Sequence, residues 1–412
     1  MKIRSITVFA TLHSEKLEQK IKKLAQSTRQ IKSILENAGL EVQTTRLATQ
    51  SFPSFLKPWN NHKILALIKE FEKQVLRAEF DYLAIGPAVI EEPKSYELIP
   101  KILAETKNVF CSAVIADLKY GVSLRAVQAA SQIIVQSSSL EKNGFANLRF
   151  TAMANVEPMG PFFPASYHDP DRSDGFAFAI EAADEVLKAF SKAKSLEQAR
   201  ADLLNSLERK ASNISNLLKT ELSEDNLHFY GFDFSVAPFP SSDCSLGAAL
   251  ESLGINALGD HGSLAAAAFL ADTLDRGNWL RTGFNGLMLP LLEDSQLAQR
   301  AIDSSLSVKD LLMYSAVCGT GLDTIPLAGD LKAPQIAALL LDIAALSSRL
   351  KKPLTARLMP IPGKKVHELT SFDFAFFKNS RILDLQAHPL GGLFANSNET
   401  IQLHPRQTYK RD

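Results

Sequence analysis

Two kinds of hydrophobic pattern alternate along the first part of the chain. Short runs of consecutive apolar residues, such as 3–12, 40–47, 80–85 and 109–115, predict buried strands. Between them apolar residues recur every three or four positions, as over residues 17–35, which predicts amphipathic helices. Strands that alternate with helices indicate an α/β protein with a mostly parallel sheet. Because the strand runs are continuously apolar, we expect both faces of the sheet to be covered.

Less regular stretches predict further elements. Residues 133–136 and 147–152 have the composition of strands, and residues 282–290 predict a strand with a glycine-rich entry. Residues 176–193 and 196–222 predict two long helices.

The C-terminal third continues the same alternation. Ser307 and Asp310 predict a capping box at the start of a helix, residues 333–350 predict another helix, and a strand follows. Polarity is mixed from residue 387 onward. We expect a single α/β domain over residues 1–386 and an irregular tail over 387–412.

Two polar loops that each lead into a helix lie between residues 232 and 264. An alternating strand ending near Val236 runs into a double-proline turn, and a glycine-bracketed turn around His261 opens an alanine-rich helix. Loops at strand ends commonly carry the site of an α/β protein. This stretch therefore predicts a functional site.

A long polar, proline-rich loop is predicted over residues 155–174. Loops of this length inside a domain are usually functional or disordered. The aromatic residues of this loop favour an ordered structure.

Composition narrows the class of protein. The chain has 412 residues, 46% hydrophobic, with 45 basic and 45 acidic side chains. The balanced charge gives no basic field for nucleic acid. Three cysteines do not suggest a disulfide framework and fit a reducing compartment. No window holds about 18 uninterrupted apolar residues, so we expect a cytoplasmic protein without a membrane span.

The cysteines are the first candidates for chemistry. Cys111 lies within a predicted strand, where a cysteine commonly serves as a small buried hydrophobe. Cys318 lies at a predicted helix end beside a flexible turn, and its reactivity would require a nearby cation. Cys244 lies near a helix start, where the helix dipole favours a thiolate, although it also fits a plain helix-entry residue.

Histidine and carboxylate side chains form the second group. His261 and Gly262 precede a helix for which Ser263 is a natural N-cap, and such a helix start binds either an anion or only water. His168 stands beside carboxylates and could serve as a general base, a metal ligand or a solvated loop residue. Asp233 and Asp323 lie at strand or turn edges, where they could orient a base or bind a cation. The common zinc, redox and nucleotide motifs are absent from the sequence.

Several stretches together resemble one family, called domain of unknown function 711. They include IRSITV at the start, AETKNVFCSAV around Cys111, the segment from Asn155 to His168, FSVAPFP, HGS at residues 261–263, AVCGTGLD around Cys318, and TARLMPIPGK. These stretches occur in order from residue 2 to about 365 and cover most of the chain.

The resemblance implies a fold similar to that of pyruvate formate-lyase. That fold is a ten-stranded β/α barrel built from two five-stranded parallel halves that run antiparallel. The resemblance also implies a homodimer. Glycyl-radical enzymes of this fold need a C-terminal glycyl loop, which the HPLGGLF segment does not match, so no glycyl radical is expected. Cys111 and Cys318 fall where the family carries cysteine, whereas Cys244 does not.

These observations lead to one main hypothesis for function. The chain would be an enzyme acting on a small, polar, carboxylate-bearing metabolite in a barrel-mouth pocket. Cys111 or Cys318 would act with His168 or His261, and Asp233 would orient the base. Asn155, Gly262, Ser263 and Asp323 would bind the substrate.

Two alternatives stay open. One is a non-catalytic metabolite- or cation-binding protein of regulatory role. Asp169, Asp171 and Asp174 near His168 would then hold a divalent cation, the one cofactor considered. The other is a dimeric scaffold whose loops form the subunit interface.

Overall fold

The apolar runs form strands of one 11-stranded sheet in a computed structural model that describes residues 1–55, 57, 59–222 and 227–405. The strands are β1 Lys2–Phe9, β2 Thr45–Ala48, β3 Tyr82–Ala88, β4 Val109–Asp117, β5 Gly121–Ser123, β6 Phe150–Ala154, β7 Gly175–Glu181, β8 His228–Ala237, β9 Gly321–Ala328, β10 Leu354–Ile361 and β11 Thr400–Ile401. The predicted α/β class is confirmed.

The sheet has one central parallel group and two flanks of opposite direction. Its order is β8-β7-β1-β2-β3-β4-β6-β10-β9, and β5 and β11 extend from β4 by antiparallel pairing. The five strands from β1 to β6 in this order are mutually parallel. β7 and β10 pair antiparallel to the two outer members of that group. Each then has a parallel neighbour of its own, β8 and β9 respectively.

One irregular segment makes single bridges to the strands at the two ends of this order. Arg281 bridges Phe232 of β8, and Pro290 bridges Asp323 of β9, both in parallel orientation. Between these points the Met288 N–H donates to the Ser235 carbonyl at 3.0 Å. The N–H of its neighbour Leu287 donates to the Cys318 carbonyl, on the side of β9. The segment over residues 281–291 therefore contacts both edge strands without forming a strand ladder.

Helices fill the connections, with the apolar face of each turned to the sheet or to another helix. They are α1 Leu17–Asn37, α2 Asn61–Arg77, α3 Lys94–Glu105, α4 Leu124–Ser138, α5 Ala183–Lys192, α6 Leu196–Glu221, α7 Leu246–Glu251, α8 Ser263–Asp275, α9 Ser295–Ile302, α10 Val308–Cys318 and α11 Ala333–Leu350. In α1 the buried residues include Leu17, Ile21 and Leu24, as their spacing predicts. The capping box of Ser307 and Asp310 is confirmed at the start of α10.

Three predicted elements are wrong. The helix predicted over residues 176–193 is strand β7 in its first part, and only Ala183–Lys192 is helical. The strand predicted over residues 133–136 lies inside α4. The strand predicted over residues 282–290 does not form, because this segment makes only single bridges and scattered hydrogen bonds.

The proline-rich loop is ordered, as its aromatic residues predict. Met159, Phe162 and Phe163 are buried. Met159 and Phe163 pack with Phe9 of β1 and Phe110 of β4 in a small cluster apart from the main core. The loop therefore fills space beside the central strands instead of lying in solvent.

The C-terminal segment lies against the outside of the sheet. Gly392–Ala395 is a short 3-10 turn, and Thr400 and Ile401 pair with β5. Residues 406–412 of the predicted tail lie outside the described residues. The domain boundary at residue 386 stays a prediction.

One helix among the described residues has the length and mean hydropathy of a membrane span. This helix, α11, has a mean hydropathy of 1.2 and is half buried. It packs against α4, α10 and β10, as a core helix of an α/β protein does. The fold is compatible with a soluble protein.

Candidate functional site

Three arginines from three strands line one cavity. Arg4 lies on β1, Arg46 on β2 and Arg357 on β10, and the cavity has a volume of about 100 Å³. Its wall draws residues from both flanks and the centre of the sheet, and it also includes Glu293 and Asp323. Each arginine lies on a strand whose other side chains are mostly buried, so its charge favours a partner at the site.

Two of these arginines are each held by a pair of carboxylates. Arg4 donates to Glu181 at 3.1 Å and to Glu293 at 2.7 Å. Arg357 donates to the other oxygen of Glu293 at 2.9 Å and through Nε to Asp323. Glu293 therefore links Arg4 and Arg357, with each carboxylate oxygen bonded to a different guanidinium.

This link requires strong curvature of the sheet. β1 and β10 are separated by four strands in the sheet order, which on a flat sheet would place them roughly 24 Å apart at about 4.8 Å per strand. Because one carboxylate bonds to arginines on both strands, the sheet must curl so that these strands face each other.

Arg46 differs from the other two. Within the described residues no carboxylate forms an ion pair with it, and its Nε donates to the Thr44 hydroxyl at 2.9 Å. Its guanidinium lies 5.2 Å from the ring centre of Phe163 and 5.8 Å from that of Tyr82. Burial, reinforced by repulsion from Arg4, lowers the pKa of Arg46 to about 10. An arginine in this environment favours binding of an anion.

Thr44 fixes the orientation of Arg46. Its hydroxyl donates to the Arg4 carbonyl at 2.8 Å while it accepts from Arg46. The Nε–H is thereby used, and the terminal N–H groups of the guanidinium are left for a ligand, within the described part of the chain.

Apolar and aromatic side chains form most of the remaining wall, which also includes Gln43 and Thr44. They include Phe110, Leu148, Phe162, Phe163, Met288, Phe374 and Phe376. Few precisely placed polar groups in an apolar wall are typical of small-molecule sites.

Glu181 holds two side chains of the cavity wall in place. Its side chain is almost completely buried and accepts hydrogen bonds from Arg4 and, at 2.9 Å, from Gln43. Burial raises its pKa, although Arg4 and Gln43 oppose this effect. Glu181 holds Arg4 and Gln43, and both of these side chains line the cavity.

Asp323 is the residue predicted from sequence that lines this cavity. Its bond to Arg357 uses one carboxylate oxygen. The other predicted site residues lie elsewhere in the fold.

The cysteines are buried outside the cavity wall. Cys111 lies in β4 with no exposed surface, and burial raises the pKa of its thiol to about 12. Cys318 ends α10, and its Sγ lies 3.5 Å from the Thr320 hydroxyl. Burial likewise raises the pKa of Cys244 to about 11. All three thiols are free.

Asp233 organises a turn. Its buried carboxylate accepts from the N–H groups of Ser235, Phe284 and Asn285 at 2.7–3.1 Å and from the Ser235 hydroxyl at 2.5 Å. Burial raises the pKa of Asp233 to about 6 although these donors lower it. The carboxylate thereby ties β8 to the irregular segment over residues 281–291.

His168 and Asn155 hold the proline-rich loop. His168 is buried, with Nδ1 3.0 Å from the Thr11 hydroxyl, and burial lowers its pKa. Asn155 adopts a left-handed backbone conformation and donates to Ser347 at 2.8 Å. The amide oxygen of Asn155 is buried without a hydrogen-bond partner in the described residues.

The turn at residues 260–263 is exposed on its outer side. His261 and Gly262 are exposed, and Ser263 is buried. The predicted N-cap role of Ser263 is wrong. Gly262 occupies the N-cap position of α8, and the Ser263 hydroxyl donates to the Asp260 carbonyl at 2.7 Å.

Two of the three aspartates near His168 are held by cations of the protein itself. Asp174 pairs with Lys20, and Asp169 pairs with Arg172 at 3.5 Å. Over the described residues, no group of three histidine, cysteine or acidic side chains is arranged to hold a metal ion.

The sequence of most of the chain matches one protein family. The sequence profile of the family described as "Uncharacterised ACR (DUF711)" matches residues 1–379. The chain belongs to the DUF711 family. All three cavity arginines, Glu293 and Asp323 fall within the matched part of this DUF711 protein.

Relatives of this DUF711 protein occur in bacteria and archaea. A UPF0210 protein of Clostridium perfringens is 25% identical over 374 residues, which cover 87% of this chain and 83% of the relative. A UPF0210 protein of Pyrobaculum aerophilum is 29% identical over 367 residues, covering 85% and 80%. A third, from Methanococcoides burtonii, is 25% identical over 382 residues, covering 89% and 84%.

Proposed function

We propose that this DUF711 protein is an enzyme that binds a small carboxylate-bearing metabolite in the arginine-lined cavity. The observation that carries the proposal is Arg46, a guanidinium without a carboxylate partner in the described residues, set in an aromatic wall. A buried cation of this kind is stabilised by an anionic ligand, and arginine matches a carboxylate with two parallel hydrogen bonds.

Asp323 is the acid–base group of this proposal. Both oxygens of Glu293 are bonded to arginines, so this residue positions Arg4 and Arg357. Asp323 bonds to Arg357 through one oxygen, and the described residues supply no donor to the other. That oxygen is the acceptor we assign for a proton from the bound metabolite.

In the proposed reaction the cysteines and histidines have no catalytic role. Cys111 and Cys318 are buried in the core, and His168 is engaged by Thr11. The thiolate is the reactive form of cysteine, and burial disfavours it in Cys111. The proposed reaction uses no glycyl radical.

We also propose that the sheet is a barrel similar to that of pyruvate formate-lyase. The bonds of Glu293 to arginines on β1 and β10 favour a closed cross-section. The segment over residues 281–291 lies between β8 and β9 and parallel to both. Counted as the tenth strand of the barrel, this segment would complete two halves of five parallel elements each.

A non-catalytic binding protein is the second candidate. Among the described residues, the cavity wall contains no cysteine, histidine, serine or lysine side chain. The wall therefore lacks a thiol, imidazole or amine, and both of its carboxylates, Glu293 and Asp323, are bonded to arginine. This composition favours a regulatory metabolite-binding role if Asp323 transfers no proton.

A homodimer remains part of the proposal. Leu393 and Phe394 are 83% and 52% exposed beside the outer helices, and such an apolar pair suits a subunit contact. Light scattering at micromolar concentration tests it, and a monomer would remove the dimer from the proposal.

Thermal stability against a ligand library tests the binding proposal. The library contains amino acids, keto acids, other carboxylates and phosphates. A ligand present at about 100 times its Kd stabilises the folded state by about 2.7 kcal/mol. We expect carboxylates to raise Tm in the wild type and not in Arg46→Gln. Arg29→Gln is the matched control, because Arg29 is exposed and pairs with Glu79 on the surface.

Asp323→Asn separates the two candidate functions. For an enzyme we expect this variant to bind the identified carboxylate but to lose its turnover. Unchanged turnover in Asp323→Asn would contradict the acid–base assignment. Stabilisation that persists in Arg46→Gln would contradict the binding site itself.

A further inference from the structure

In the described residues, the three arginines of the cavity are matched in number by three carboxylates, Glu181, Glu293 and Asp323, but the direct contacts are unevenly distributed. Arg4 and Arg357 each contact two carboxylates, whereas Arg46 contacts none in the described part of the chain. A ligand with one negative charge completes the pairing of Arg46. A second negative charge would lie near Glu293 and Asp323, which also line the cavity, and would be repelled in a poorly hydrated space.

The volume limits the size of the ligand. The cavity measures about 100 Å³, whereas a protein cavity of about 150 Å³ accommodates benzene, with its six carbon atoms. By proportion this volume holds about four non-hydrogen atoms, and the open side of the cavity leaves room for roughly two more. A carboxylate group uses three of them, which leaves room for a short remainder only.

The walls determine what that remainder is. Phe163 and Tyr82 flank the Arg46 guanidinium, and Phe110, Phe162 and Met288 line the space as well. These side chains offer an apolar environment, in which a second polar group of a ligand would lose its hydration without a fixed partner unless it reaches the free carboxylate oxygen of Asp323.

From these three limits we propose that the ligand class is a monocarboxylate of about two to four carbon atoms. Its carboxylate binds Arg46, and its carbon end lies against the phenylalanines and Met288. This inference rests on the proposed function, because it narrows the ligand of the same cavity.

Isothermal titration with simple probes tests this inference. The probes are the sodium salts of acetate, propionate, butyrate, hexanoate and malonate, together with inorganic phosphate and neutral propionamide, all at one ionic strength. We expect one or more of the two- to four-carbon monocarboxylates to bind about tenfold more tightly than any other probe. We expect Arg46→Gln to weaken this binding by about tenfold or more, and Arg29→Gln to leave it unchanged.

Met288→Ala is the second variant, since it keeps Arg46 and enlarges the cavity. In this variant hexanoate should gain affinity relative to butyrate. If malonate, phosphate or hexanoate binds the wild type as tightly as butyrate, and Arg46→Gln removes that binding, the ligand class is wrong and the proposed function stands. If no probe binds in a manner that depends on Arg46 or responds to Met288→Ala, both are overturned.

Discussion

Asp233 is the residue whose charge state most affects the link between β8 and the segment over residues 281–291. Its carboxylate accepts four hydrogen bonds from Ser235, Phe284 and Asn285. Asn offers only one acceptor oxygen and would present N–H groups to these donors. We expect Asp233→Asn to lower the free energy of unfolding by about 3 kcal/mol at pH 5, measured by denaturant titration.

The pH dependence of this loss follows from the pKa of Asp233. Burial raises the folded-state pKa from 3.8 to about 6, so the folded state binds the proton more tightly than the unfolded state. The free energy of unfolding of the wild type therefore falls by up to about 3 kcal/mol as pH rises from 4 to above 6, whereas that of the variant does not depend on this titration. The difference in unfolding free energy between the wild type and Asp233→Asn should shrink between pH 4.5 and 7. A deficit that grows over this range would contradict the raised pKa.

Cys111 provides a second prediction at the residue scale. A pKa of about 12 against an ordinary 9.0 lowers the thiolate fraction at pH 8 by roughly a thousandfold, and the side chain is fully buried. We expect iodoacetamide to leave Cys111 unmodified in the native protein, as judged by mass spectrometry. Ser14→Cys, at an exposed position, is the positive control. Rapid native labelling of Cys111 would restore it as a candidate nucleophile.

The sequence contains a sign of the arginine cavity, although it does not reveal the cavity itself. Arg4, Arg46 and Arg357 each adjoin an apolar residue within a predicted strand, and a charge placed there favours a partner. Their convergence depends on the curvature of the sheet, which brings strands separated by several others face to face. Asp323 was predicted because it lies at the edge of a strand or turn. Glu293, which joins two of the arginines, lies in a segment with no periodic pattern.

At the scale of elements, the wrong predictions arise where local pattern and tertiary pairing disagree. Residues 176–179 alternate Phe and Ala, and a short apolar run of this kind fits a strand or a helix. Pairing with β1 on one side and β8 on the other decides for the strand. Ile133 and Ile134 are β-branched, yet they fall on the buried face of α4 with Val127 and Ala130. Helical spacing over the longer stretch outweighs the local preference.

Gly283 is the position where the irregular segment over residues 281–291 tolerates least change. Its φ is +75°, and a Cβ there would lie 2.2 Å from an Asp233 carboxylate oxygen, which is held by its own hydrogen bonds. We expect Gly283→Ala to lower the free energy of unfolding by about 3 kcal/mol, from backbone strain and steric conflict together. Denaturant titration measures the change.

Gly39 supplies the matched control for this substitution. Its φ is +79°, close to that of Gly283, but no atom lies within 4 Å of a Cβ added there. Gly39→Ala should therefore cost only the backbone term, about 1 kcal/mol. Equal losses at the two glycines would mean that the contact with Asp233 does not constrain the segment.

At the scale of the whole molecule, the segment over residues 281–291 determines whether the two edges of the sheet are joined. The amides of Thr282 and Met288 donate to β8, and those of Leu287 and Leu291 donate to the Cys318 and Asp323 carbonyls on the other side. If this segment joins the two edges, its bonded amides exchange their hydrogens only when these bonds open. We expect these four amides to be protected as strongly as the paired amides of β8 and β9 in native-state hydrogen exchange.

The exposed C-terminal turn at Gly392–Ala395 is the internal control, with fast exchange expected. Fast exchange of Met288 and Leu287 alongside slow exchange in β8 would mean that the edges are not joined. The cavity would then be a groove on a curved open sheet, and the size limit set by its volume would no longer hold.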